Sequence, residues 1–196
     1  MKLELDDKVL FFQELELEFK AKDLENIFSL KKNKTLLETL EHKKYKKLIE
    51  KVKEYRDFYL EPLGKFVFLL KVQNDNLYLE FLNKYGDKKY CKFNIKDKSK
   101  ENLKGIYIYT INENIVYIGR CCDNYKKRIN SGYGNISPKN CYIDGQQTNC
   151  HINSLINSNI EKVKFWILPL ESIYEIKELE KKLIKNYQPL WNILLK

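Results

Sequence analysis

The chain has 196 residues, with 36 Lys plus Arg against 27 Asp plus Glu and a formal net charge of +9. Hydrophobic residues make up 43% and aromatic residues 13%, enough apolar surface for a core, which excludes an intrinsically disordered chain. No apolar run approaches the ~18 residues of a membrane span, and the acidic opening MKLELDDKV lacks the features of a secretory signal, so a cytoplasmic protein is expected.

Cys91, Cys121, Cys122, Cys141 and Cys150 have no framework-like spacing and read as reduced thiols. The positive balance suits a polyanionic partner, although a Lys-rich and Asn-rich composition also arises from an AT-rich genome.

Residues 1–30 carry more acids than bases, whereas 31–56 are strongly basic. From Val9 to Phe28 the spacing of Leu10, Leu15, Leu17, Leu24 and Ile27 is loosely helical. From Thr35 to Tyr59 it is amphipathic, with Leu37, Leu40, Leu48, Val52 and Tyr55 set among lysines. A helical N-terminal region over 1–60 is expected, its run KKYKKLIEKVKEYR a solvated face before a phosphate-tracking one. Pro62 and Gly64 break that pattern. The stretches KFVFLLKV, NLYLEFL and KYCKFNI then read as a small antiparallel meander which, with the polar linker KDKSKENLK, fills 61–100.

From Gly105 the run GIYIYTINENIVYIGR alternates around a polar turn and predicts a hairpin. With Asn112, Glu113 and Asn114 as the loop, Ile111 pairs with Ile115, Tyr109 with Tyr117 and Tyr107 with Gly119, while Ile108 meets Ile118 on the other face. Three tyrosines share one face, and Gly119 leaves space for another group to approach the Tyr107 phenol.

In DNYKKRIN, Asp123 is expected to cap a short helix that turns Tyr125 and Ile129 to the core and lines up Lys126, Lys127 and Arg128 for phosphate contact. The 20 residues from Ser131 to Cys150 show little periodicity and read as a functional loop. Lys139, Asn140, Gln146, Gln147 and Asn149 are its candidates for DNA contact and base-edge readout. The spacing of Cys141, Cys150 and His151 matches no zinc knuckle well.

Between Leu170 and Gln188, Ile173, Ile176, Leu183, Ile184 and Tyr187 mark a helical stripe with Glu180 at its centre, and Pro189 ends the helix. A carboxylate there requires a cation, either a metal ion or an internal Arg.

Gly105-Ile106-Tyr107 and Tyr117-Ile118-Gly119, in order and separated by nine residues, resemble the two hallmark triplets of the GIY-YIG nuclease family. The resemblance covers roughly residues 104 to 194 of an expected nuclease domain over 101–196, and in it Arg128, Glu180 and Asn192 stand in the places of the family's Arg, Glu and closing Asn. It implies an α+β fold with a small antiparallel three-stranded sheet flanked by helices. It further implies hydrolysis of a DNA phosphodiester with one Mg²⁺ or Mn²⁺ held by Glu180 opposite the paired phenols of Tyr107 and Tyr117.

In that scheme Arg128 stabilises the transition state and Asn192 fixes the hairpin or the Glu180 helix. The family's Arg commonly falls one residue earlier, where Lys127 stands, so Arg120 and Lys127 are candidates to share its role. Relatives carry a His or Tyr shortly after that Arg, and Tyr133 is the matching general base.

The basic N-terminal half and the polar insertion are most similar to the restriction endonuclease branch. This implies a homodimer on double-stranded DNA, with a cognate DNA methyltransferase as a possible companion. A nicking or single-strand nuclease of the same family and a non-catalytic DNA-binding module are the alternatives.

Overall fold

The computed structural model describes residues 1–193. In chain order its strands are β1 (Lys2–Leu5), β2 (Lys8–Phe11), β3 (Gln13–Leu15), β4 (Leu17–Leu24), β5 (Tyr90–Ile95), β6 (Gly105–Ile111), β7 (Asn114–Cys121) and β8 (Val163–Pro169). The α-helices are α1 (Leu36–Leu40), α2 (Leu63–Val72), α3 (Tyr78–Phe81), α4 (Gln147–Asn157) and α5 (Ile173–Tyr187). A π-helix covers Lys126–Tyr133. The fold is α+β with antiparallel sheets.

Two expectations about the first hundred residues are corrected. The opening segment is made of strands rather than helices, because its pattern has period two. Leu3 and Leu5 are buried between exposed Lys2 and Glu4, and LEFKAKDL alternates along β4. The expected meander is mostly helical. Leu63, Phe66, Val67 and Leu70 are fully buried at the i, i+3, i+4, i+7 spacing of a helix face, and only KYCKFNI forms a strand. Apolar residues on the remaining sides of α2, including Phe68 and Val72, hide that period in the sequence.

The chain divides into two compact units rather than at residues 60 and 100. One unit is Lys22–Cys91 with Ile136–Ser154. Its core gathers Phe28, Leu36, Leu48, Phe66, Tyr142 and Cys150. Thr35 and Glu38 form a reciprocal capping box at the start of α1.

The other unit comprises Met1–Ala21, Lys92–Asn135 and the chain from Leu155. Its sheet has four strands in the order β3-β8-β6-β7, one more than expected, because β3 pairs along the outer edge of β8 with Glu14 opposite Trp166. The central β6 is buried almost throughout.

The hairpin keeps the expected pairs Tyr107 with Gly119, Ile108 with Ile118 and Tyr109 with Tyr117, but it reaches them differently. The turn has two residues, Asn112 and Glu113, both at positive φ (47° and 69°), and Ile111 pairs with Asn114. An irregularity between Tyr109 and Thr110, which lets Thr110 pair with Ile115, restores the register. The turn is one residue shorter and the bulge one residue longer, and the two cancel before Tyr117.

The sheet's faces differ. On one, Ile106, Ile108 and Ile118 pack with Ile176, Leu183 and Ile184 of α5 and with Leu3 and Leu5 of β1. On the other, the hairpin tyrosines meet Phe165 of β8 and the rings of Tyr125 and Tyr133.

Candidate active site

Gly119 has no side chain because the Tyr107 ring occupies that place. A Cβ there would lie 2.4 Å from the phenol oxygen and 2.5 Å from Cζ. The space opposite Tyr107 is thus filled by its own phenol, not left for an incoming group. Gly105 is equally constrained: its φ is +147° and a Cβ would lie 2.1 Å from the Leu168 carbonyl oxygen.

After β7 the Asn124 side chain, rather than that of Asp123, accepts from a first-turn amide, Lys127 N at 2.8 Å. Tyr125 and Ile129 turn inward as expected, and the Tyr125 hydroxyl donates to Ile106 O at 3.1 Å. The wide winding of Lys126–Tyr133 brings residues five apart together, as in Gly134 N to Ile129 O at 2.6 Å.

It thereby sets Arg128 on Tyr133, with the guanidinium carbon 4.7 Å from the ring centre and Nη2 donating to the phenol at 2.7 Å. Arg128 Nε donates to the Tyr107 hydroxyl at 3.0 Å. The Tyr133 hydroxyl is also 3.0 Å from those of both Tyr107 and Tyr117. Three phenols and one guanidinium form a connected network. Asn130, unremarked in the sequence, anchors the π-helix by accepting from Ile95 N at 2.9 Å and donating to Glu101 at 2.8 Å.

Burial pushes Tyr107 well above the ordinary tyrosine range and the neighbouring Tyr117 adds to it, while the Arg128 charge opposes both. Burial likewise raises Tyr133, again against Arg128.

Asn192 grips the exposed edge of the sheet. Its Oδ1 accepts from Ile118 N at 3.0 Å and its Nδ2 donates to Ile118 O at 2.8 Å. Since β7 ends the strand order, the amide acts as a one-residue strand partner. Of its two expected anchors, the hairpin or the Glu180 helix, Asn192 takes the hairpin.

Ser172 caps α5 by accepting from Glu175 N at 3.2 Å, and the helix places Glu180 on its buried face, 9% exposed. The carboxylate meets Arg120 Nη1 at 2.6 Å through Oε2. Burial raises the Glu180 pKa, and the charges of Arg120 and then Arg128 pull it back.

Strand parity puts Arg120, opposite Ile106, on the isoleucine side of the sheet with α5. Glu180 therefore approaches from the α5 side while the phenols line the other, and its carboxyl is bonded by the backbone as well as the side chain of Arg120 at β7, the strand that ends the sheet. The Arg128 charge acts on the Tyr107 phenol and on the Glu180 carboxyl alike.

Among the described residues no three His, Cys, Asp or Glu side chains cluster. The donor set at Glu180 is a single carboxylate, a hard oxygen ligand, which takes hydrogen bonds from both the side chain and the backbone of Arg120. It fits a largely hydrated Mg²⁺ or Mn²⁺, which binds through one or two carboxylates together with phosphate oxygens.

The expected DNA-contacting residues separate. Arg120 is committed to Glu180, whereas Lys126 and Lys127 are exposed, with Lys127 2.6 Å from Asp123. Lys139, Asn140, Gln146, Gln147 and Asn149 belong to the other unit. The expected loop over 131–150 is not open: its first residues close the π-helix, and from Ile136 it belongs to that other unit. Cys141, Tyr142 and Cys150 are core side chains, and Asn140 accepts from Ser137 N at 3.0 Å. Asn149, 4% exposed, donates to Gln146 at 3.1 Å and does not present a base-reading edge, while Lys139, Gln146 and Gln147 are exposed. His151 stacks on Tyr85 with ring centres 4.4 Å apart.

Compared with protein families, curated proteins and solved structures, the chain matches none.

Proposed function

We propose that the chain is a divalent-metal-dependent DNA endonuclease of the GIY-YIG type. The observation that carries this reading is the Arg128 network. It joins the tyrosines of both triplets to Tyr133 through hydrogen bonds of 2.7 to 3.0 Å, although these residues come from β6, β7 and the π-helix. A buried cluster needing only packing would be served by Phe at each tyrosine. Here every phenol oxygen of the network is tied to another or to the guanidinium.

Arg128 uses Nε and Nη2 on the phenols, and no described residue engages Nη1, which is available to a phosphate oxygen. The guanidinium then stabilises the charge that builds on a pentacovalent phosphorus. Tyr117, which unlike Tyr107 and Tyr133 keeps some solvent exposure, orients the attacking water by its hydroxyl; Tyr133 holds that hydroxyl, Tyr107 holds Tyr133, and the water's proton leaves to bulk solvent. Glu180 and phosphate oxygens would hold Mg²⁺ or Mn²⁺, which when bound polarises the phosphate and stabilises the leaving oxygen. The net charge of +9 favours duplex DNA by counterion release.

Restriction-type cleavage of both strands, with one site per chain, calls for a homodimer. Sizing the protein with and without duplex DNA separates this from a monomeric nicking enzyme. Supercoiled plasmid incubated with Mg²⁺ is expected to be cut, and discrete fragments from a phage genome would show sequence specificity.

A non-catalytic DNA-binding module is the second reading, favoured by one contact, because Arg120 already neutralises Glu180 without any metal. Plasmid left intact with both Mg²⁺ and Mn²⁺ across several sequences would select it.

A further inference from the structure

We infer that Arg120 is an internal substitute for the metal ion, occupying Glu180 until a divalent cation displaces it; this rests on the nuclease reading above. Three features of the pair carry the inference. The carboxylate cannot move to water, since its side chain is 11% exposed on the packed face of α5, whereas the Arg120 side chain is 38% exposed and can swing outward. The side-chain contact is made by one guanidinium nitrogen, Nη1, to one carboxylate oxygen, without a bidentate fork among the described residues, and the hydrogen bond that the Arg120 backbone gives the carboxyl stays when the side chain swings away.

The pair also resolves the cost of burying a charge. An empty, unpaired carboxylate there would be strongly disfavoured, and a guanidinium on the adjacent strand supplies the countercharge at no loss of the site.

A dication brought to the same carboxylate repels Arg120 while making its charge unnecessary. Arg120 follows Gly119 directly on β7, so once released its charge remains beside the hairpin, where a DNA phosphate can take it. Metal binding and phosphate binding are then coupled through one side chain: the cation frees the arginine, and the phosphate keeps it from returning.

The test is Mn²⁺ binding, followed by electron paramagnetic resonance and by the thermal shift that Mn²⁺ causes. The full chain is compared with Arg120→Gln and Glu180→Gln, with and without a phosphorothioate duplex that resists cleavage. Arg120→Gln is expected to bind Mn²⁺ about tenfold more tightly, a change on the scale of outer-shell effects at metal sites, and to show the larger thermal shift. Adding duplex should tighten Mn²⁺ binding to the parent chain more than to Arg120→Gln.

Equal or weaker binding by Arg120→Gln overturns the substitution role and leaves the nuclease reading standing. Mn²⁺ bound by none of the proteins, or as well by Glu180→Gln as by the parent, overturns the metal reading itself. If circular dichroism shows Arg120→Gln unfolded, Arg120→Lys serves in its place, since a shorter point charge should also yield to Mn²⁺ more readily than arginine.

Discussion

At Gly119 a single methyl group decides whether the hairpin closes. The added Cβ of Gly119→Ala would fall 2.4 to 2.5 Å from the Tyr107 phenol, and that ring cannot withdraw because it is fully buried among Tyr109, Tyr117, Tyr125 and Tyr133. Overpacking of this kind costs roughly 1–3 kcal/mol, read as a lower urea midpoint at unchanged slope. The strain falls on the Tyr107 hydroxyl that Arg128 Nε holds, so on the nuclease reading plasmid cleavage should fall further than stability does. Asn192 offers the complementary case. Asn192→Ala leaves both polar groups of Ile118 without their partner, at about 1–3 kcal/mol. Asn192→Asp should be no milder, since it retains an acceptor for Ile118 N but turns a second oxygen toward Ile118 O. Chemical denaturation of the pair checks this; a wild-type midpoint in Asn192→Ala would show that water replaces the amide.

At the level of elements, α5 depends on its start as well as its stripe. Ser172→Ala removes the side-chain acceptor for Glu175 N and is expected to cost about 1 kcal/mol by thermal or urea unfolding, with the geometry of the candidate site intact. This helix was legible in the sequence because its apolar residues recur at 3.6 and Pro189 follows. The hairpin was legible because strict alternation fixes which residues share a face, whatever the turn does. The turn length was misread, and the bulge removed the error before Tyr117. The first strands and α2 were not legible. Short segments such as KLEL and QEL contain too few residues to separate period two from period 3.6, and α2 is apolar on too many sides to show a stripe. The π-helix leaves no local mark, since its bonds reach one residue further than an α-helix without changing composition. At the site, the sequence identified Arg128, Tyr133 and Asn192 as candidates. The stripe announced that Glu180 needs a cation, an internal Arg among the choices, but not which Arg, since Arg120 and Glu180 lie 60 residues apart on a strand and a helix.

For the whole molecule, the route of the chain matters more than its composition. The unit that holds the candidate site is assembled from three separate segments, and the other unit is inserted between them in two. The expected nuclease domain beginning at residue 101 is therefore not a self-sufficient piece. It would lack β3, leaving the outer edge of β8 unpaired, and it would lack Leu3 and Leu5, which help cover Ile106, Ile108 and Ile118 together with α5. Exposed strand edges and apolar faces of that kind drive association. Two further ties to the removed segment would be cut, the Asp6 bond to Lys182 and the Glu4 carbonyl bond to the Tyr187 hydroxyl. Expressed alone, a fragment starting at residue 101 is expected to be largely insoluble, or to give poorly dispersed amide resonances, and not to cut plasmid, while the full chain gives a dispersed spectrum. Mixing the fragment with a peptide of residues 1–21 should restore part of that dispersion, because the peptide supplies β1 and β3 together. A soluble, well-dispersed and active fragment would mean that α5 and the hairpin suffice without the N-terminal strands, and that β3 is an ornament on the sheet rather than its fourth member.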